Sequence, residues 1–261
     1  MAEVLPLRGV RYDTTVSGPL EQLVSQPYDV IDGAMRATLA ARSPYSFVEL
    51  DLPESGSEDR YAHAAALYRS WLATGVMKQD EAPSFYIYWQ RFAGPDGREV
   101  LRKGFLGLTR LHEYADKVVL PHERTLSGPK ADRLALMVAT QAQLSQIFLL
   151  YSDPAGVVDG ALAAATAAAP LLDTRTDDGV HHQVWALSDR AAIAAVQSHC
   201  FLSMVAMPGC CRLSACCQTK RSKLALWAPT RPPLSSQSIK SSGGSQSRGS
   251  HTAGVGMPGN V

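Results

Sequence analysis

Between Leu120 and Arg133 the chain reads Leu-Pro-His-Glu-Arg-Thr-Leu-Ser-Gly-Pro-Lys-Ala-Asp-Arg, and six of the twelve side chains from His122 to Arg133 are ionisable. These types and spacings suit the handling of an anion. Ser127 or Gly128 stands where a helix N-cap is wanted, and Pro129 suits the first helical position, where its missing N–H would have no partner anyway. The first turn of such a helix offers unpaired backbone N–H groups and the positive end of its dipole. Lys130 and Arg133, three residues apart, fall on one face of that turn. Free amides and two cations make an anion site, and phosphate is the biological anion that best fits it. Upstream, His122 and Glu123 are of the types that serve as general acid and base, and Arg124 can position a phosphate or carboxylate. Asp132 can accept a substrate proton or hold a metal ion that phosphates recruit. The alternative is an interlocked salt-bridge network, Glu123 with Arg124 or Lys130 and Asp132 with Arg133. The glycine spacing of a Walker A loop is absent.

The elements around this loop alternate without a steady βαβ repeat. Residues 4–12 read as a short strand, and Asp32 can cap a helix over 33–41. The period-two pattern of 46–52 reads as a strand ended by Pro53. Over 58–74 the spacing of Tyr61, Ala64, Ala65, Tyr68, Trp71 and Leu72 predicts a helix with one apolar face, closed by Gly75. Core packing explains that stripe better than cofactor stacking does. Strands over 84–92 and 99–111 flank the turn signal Gly94-Pro95-Asp96-Gly97 and form a hairpin. Further helices are expected over 134–144, 159–168 and 189–197, the last capped by Ser188 or Asp189. Strands are expected over 147–151, as a buried central strand, and over 180–187. The class is α+β, a mixed sheet with flanking helices.

Charge divides the chain in two. Residues 1–199 hold 18 Lys+Arg and 24 Asp+Glu, a net of −6, whereas residues 200–261 hold 7 Lys+Arg, no acidic residue and all five cysteines. The acidic body argues against a nucleic-acid partner. No basic leader precedes an apolar run at the start, and no window reaches the ~18 apolar residues of a membrane span. A cysteine-free body of this length fits a reducing cytoplasm.

The string Leu120 to Leu126 followed by Pro129 to Leu134 resembles the signature of the domain-of-unknown-function family numbered 1015, often labelled SpoOJ/ParA/ParB/RepB-like. Other landmarks stand in the family's order: Pro27-Tyr28-Asp29-Val30-Ile31, Ser43 to Val48, Tyr86-Ile87-Tyr88 with Gln90, Ile147 to Pro154, and Asp178-Gly179-Val180-His181-His182-Gln183-Val184-Trp185. The resemblance covers about residues 4–198. It implies kinship with ParB/sulfiredoxin-type domains, and hence a nucleotide-dependent phosphotransferase or nucleotide hydrolase, with a nucleotide and a divalent ion as ligands. The same label also implies a different class, a non-catalytic regulatory or DNA-partitioning module. Adjacent strand residues point to opposite faces, so His181 and His182 cannot easily share one metal; one is expected at the surface and the other against the core or a site.

Residues 200–261 are expected to be a separate, low-complexity and disordered stretch. Cys210-Cys211 and Cys216-Cys217 match zinc knuckles poorly, and a basic tail that binds nucleic acid is a second option. A third account fits best: a GC-rich gene read out of frame, which would leave a truncated, inactive family member. The sequence fixes neither substrate nor oligomeric state.

Overall fold

The computed structural model describes residues 3–54, 56, 59–121, 127–199, 204–206 and 221–228. The chain divides into two units, Met1–Thr230 and Arg231–Val261. All described residues belong to the first unit. The two cysteine pairs fall outside them.

The unit is α+β. Its centre is the hairpin of β4 (Phe85–Ala93) and β5 (Glu99–Arg110), paired antiparallel from Tyr86↔Leu106 to Ala93↔Glu99. On the far side of β4 lies β9 (His181–Leu187), antiparallel, and beyond it β8 (Leu172–Arg175). β1 (Val4–Leu5) continues the β4 edge of β5. The other edge of β5 carries β11 (Arg221–Ala228), which runs parallel to β7 (Ile147–Leu150). β10 (Met204–Ala206) then joins β7 to β6 (Val119–Pro121), so the sheet is mixed. A separate pair joins β2 (Val10–Tyr12) to β3 (Met77–Gln79).

Alternation along β4 gives the sheet two unlike faces. Phe85, Ile87 and Trp89 pack with Phe105, Leu149 and Trp185 under α6 (Val157–Ala165) and α7 (Arg190–His199). Tyr86, Tyr88 and Gln90 point the other way. A second core gathers Tyr12, Leu23, Leu50, Trp71 and Met77 beneath α4 (Arg60–Ala73). Asp59 caps α4 by accepting from the Tyr61 N–H, and Gly75 follows it at φ +80°. Asp32 caps α2 (Gly33–Arg42) through the Met35 N–H, and Asp189 accepts from the Ala192 N–H at the start of α7.

Three expectations are corrected. Residues 46–52 do not form a strand: α3 (Val48–Asp51) is a helical turn closed by Leu50, Asp51 and Leu52 amides. Leu50 and Asp51 are both buried, whereas a strand with one face in water, as the alternation suggested, would expose one of the two. Residues 4–12 are broken into β1, a single bridge at Leu7 and β2, because Pro6 has no N–H to give. The helix expected over 134–144 is α5 (Ser127–Thr140), ended where Gln141 turns to φ +53°. Ser127 and Gly128 are already helical, so neither is the cap. Pro129 is tolerated inside the first turn, whose N–H groups lack intrahelical partners.

Gly107 shows how closely the hairpin packs: a Cβ there would lie 2.8 Å from the Phe85 ring and 3.2 Å from the Leu5 carbonyl oxygen. Phe85 is itself held edge-on by Phe105 at 5.2 Å. Gly107→Ala is expected to lower stability by about 1–3 kcal/mol through overpacking, as measured by urea unfolding.

Candidate functional site

α5 enters the site through Arg133, which is only 8% exposed. Its Nη1 donates to Asp51 Oδ1 at 2.8 Å, and its Nε and Nη2 donate to Asp132 Oδ2 at 2.8 and 2.5 Å. The Tyr28 ring lies 4.3 Å from the guanidinium carbon, a cation–π contact. Asp132 also accepts from Arg60 at 2.5 Å and from the Tyr61 hydroxyl at 2.9 Å, which ties α5 to the start of α4. Burial alone would raise Asp132, but hydrogen bonds from Arg133 and Tyr61 outweigh it and hold its carboxyl below the usual range. Asp51 goes the other way: deep burial, only partly offset by Arg133 and by the Ser145 hydroxyl, pushes its carboxyl up.

Arg133, Tyr28 and Asp51 stand in the wall of a cleft of about 590 Å³. Pro27 and Asp29 line it beside Tyr28, and Tyr88, Gln90, Thr176, Asp178 and His182 line the same cleft. A smaller apolar cavity of about 420 Å³, lined by Leu7, Leu20, Met77 and Leu172 among others, adjoins it, and Tyr88, Thr176 and His182 line both. Ser25 and Gln26 line the cleft as well, and Ser25 Oγ and Gln26 Oε1 are buried without a partner among the described residues. Such atoms carry an unmet demand for hydrogen bonds.

Strand register builds the Tyr88 side. Tyr88 and Gln90 share a face of β4, and His182 of β9 sits directly opposite Gln90. Tyr88 Oη lies 2.6 Å from His182 Nδ1, and Gln90 Nε2 donates to the same Oη at 3.0 Å. The turn between β8 and β9 closes with Gly179 at φ +82°, a left-handed position that favours glycine. That turn aims Thr176 Oγ1 at His182 Nε2, 3.0 Å away, and at Asp178 Oδ1, 2.5 Å away. Burial lowers the His182 pKa below its ordinary value, against the pull of Asp178, so the ring is neutral at pH 7. Burial raises the Tyr88 phenol, which stays protonated.

The candidates from sequence therefore part company. Arg133, Pro27, Tyr28, Asp29 and His182 meet in the cleft. His181 turns to the opposite face and pairs with Asp173 at 2.7 Å. Asp132 lies behind Arg133 as its ion-pair partner, and Lys130 is one helical turn ahead of it on α5. His122, Glu123 and Arg124 lie outside the described residues, as does the side chain of Ser127. Sequence reasoning gave no role to Tyr88, Gln90, Asp51, Thr176 or Asp178. The signal available for the first two was the Tyr-x-Gln spacing, which puts both on one strand face. Among the described residues, no three His, Cys, Asp or Glu side chains stand together as a metal-ligand set, and no helix is long and apolar enough to cross a membrane.

The family model described as Protein of unknown function (DUF1015) matches residues 4–207. No curated protein matches the chain, and no solved structure does.

His182 makes stability depend on pH with a defined sign. Its folded pKa is below the unfolded value of about 6.5, so the unfolded chain takes the proton first and the His182 contribution to stability falls as pH drops from 7 toward 5. Asp51, held high by burial, works in the opposite direction. The carboxylates held low, Asp13, Asp132 and Asp173, lose their contribution only below about pH 4. Urea unfolding at pH 7, 6 and 5 should show a smaller decline in His182→Gln than in the parent chain; equal declines would remove His182 as the cause.

Proposed function

The chain belongs to the DUF1015 family, and we propose that its cleft binds a small phosphorylated ligand, a nucleotide or phosphate ester, for phosphoryl transfer or nucleotide hydrolysis. One observation carries this reading. Segments far apart in sequence that bear the family motifs, Pro27-Tyr28-Asp29, Arg133 and His182, wall a single cleft with Tyr88 and Gln90. The cleft's size is that of a small-molecule site. A packed core alone gives no reason for so many polar and ionisable side chains to converge on open space.

The chemistry of the walls assigns roles. Arg133 is neutralised by Asp51 and Asp132, so it acts as a fixed strut that holds Tyr28 in place. Positive potential for a phosphate would come instead from the first turn of α5 and from Lys130, one turn ahead of Arg133 on the same helix. Tyr28 offers a ring edge to a flat group. A divalent ion would enter on the nucleotide phosphates. The kinship with ParB/sulfiredoxin-type domains that the sequence resemblance implies points to the same ligand class.

Thermal unfolding of the full chain with magnesium–ATP, magnesium–GTP or inorganic phosphate tests this. A ligand at a hundredfold its Kd adds about 2.7 kcal/mol and raises Tm by several degrees. Lys130→Ala should remove most of that rise while leaving the ligand-free Tm unchanged. No rise with any of the three, or an undiminished rise in Lys130→Ala, contradicts the assignment.

A further inference from the structure

We infer that Tyr88, His182, Thr176 and Asp178 form a one-directional proton relay that takes the proton of a ligand hydroxyl from the cleft to the protein surface. This goes beyond the ligand class proposed above. It rests on that reading only in that a ligand must enter the cleft, and it names the reacting group as an alcohol or a water molecule.

Proton counting sets the direction. A carboxylate only accepts, so the 2.5 Å contact between Thr176 Oγ1 and Asp178 Oδ1 uses the single Thr176 proton. The Val180 carbonyl, 3.3 Å from the same hydroxyl, also only accepts. Thr176 Oγ1 must then accept from His182 Nε2 at 3.0 Å, which places the ring proton on Nε2. A neutral ring with Nε2–H leaves Nδ1 bare, and Nδ1 accepts from the Tyr88 hydroxyl at 2.6 Å. The other end agrees independently. Arg102 can only donate, so its Nη1 contact to Gln90 at 3.4 Å orients the Gln90 amide oxygen toward it and the amide nitrogen toward Tyr88. Every bond from Arg102 to Asp178 therefore points the same way, from a cation to a carboxylate, and such aligned chains polarise one another.

Both ends of the chain reach the surface, since Arg102 and Asp178 are exposed, whereas the Tyr88 hydroxyl and His182 are half-buried at the wall shared by the two cavities. A ligand hydroxyl that donates to Tyr88 Oη, beside or in place of the Gln90 amide, can lose its proton along this path. The ligand proton passes to Tyr88 Oη, the Tyr88 proton to His182 Nδ1, the Nε2 proton to Thr176 Oγ1 and the Thr176 proton to Asp178. Four bonds to hydrogen form and four break. The ligand oxygen keeps its electron pair for attack, and Asp178, now neutral, returns the proton to water. Tyr88 never becomes a phenolate, in keeping with the burial that holds it protonated. Thr176 acts as a positioning residue and conductor that never meets the ligand.

The test needs no ligand, so it stands or falls separately from the nucleotide reading. In the full chain labelled with nitrogen-15 histidine, with His182 assigned by its loss in His182→Gln, the ring should be neutral at pH 7 with its proton on Nε2. Exchange of that proton with solvent should slow by about tenfold or more in Asp178→Asn, which keeps an acceptor oxygen but cannot take up a proton. Thr176→Val should slow it likewise, and Thr176→Ser should restore it. A proton found on Nδ1, or an exchange rate unchanged in Asp178→Asn, overturns the relay.

Discussion

Arg133 is the point on which the cleft depends. Its guanidinium joins α3 through Asp51, α4 through Asp132 with Arg60 and Tyr61, and the 27–30 turn through the Tyr28 ring. A buried charge of this kind is tolerated only when its partners are in place, because an uncompensated ion in a protein interior costs several kcal/mol. The geometry of three separate segments is thereby made conditional on one side chain. The net stability from such a network is modest, but the arrangement it specifies is narrow. Here it sets the distance between the Tyr28 wall and the α5 wall.

The Tyr88 and His182 part of the wall obeys a different constraint. Register between β4 and β9 puts Gln90 opposite His182, and the Gly179 turn folds Thr176 and Asp178 back over the ring. One wall is therefore locked by charge and the other by strand pairing. The ionic wall leaves Arg133 no role as a mobile phosphate clamp, and burial in the paired wall keeps its histidine neutral. A polar cleft whose walls are held by charge on one part and by strand pairing on another is suited to positioning a ligand.

Much of this was legible in the residues, for reasons that differ by element. The β4–β5 hairpin announced itself through its turn residues, and α4 through the spacing of Ala64, Ala65 and Trp71, because local pattern and tertiary burial agree there. α3 was hidden because alternation at Val48 and Leu50 imitates a strand, while Asp51 is drawn inward by Arg133, 82 residues away in sequence. The loop from Leu120 to Arg133 drew attention through its charge, and Arg133 does reach the cleft, but as the partner of carboxylates on other segments. Asp178 stood out only as the first residue of a family segment, with no role attached, and Thr176 carried no signal. Their importance arises from a hairpin turn that Asp178-Gly179 marks locally, but whose position over His182 depends on the pairing of β8 with β9.

The most direct measurement is a double-mutant cycle on Arg133→Met and Asp51→Leu, read by urea unfolding of the full chain. Arg133→Met strands the buried Asp51 carboxylate and is expected to cost about 3–5 kcal/mol. Asp51→Leu leaves Arg133 paired with Asp132 alone and costs less, and the double change removes both buried charges and should be more stable than Arg133→Met. Losses that simply add in the double variant would contradict the account, since Arg133 and Asp51 would then not be the coupled pair that holds the cleft together.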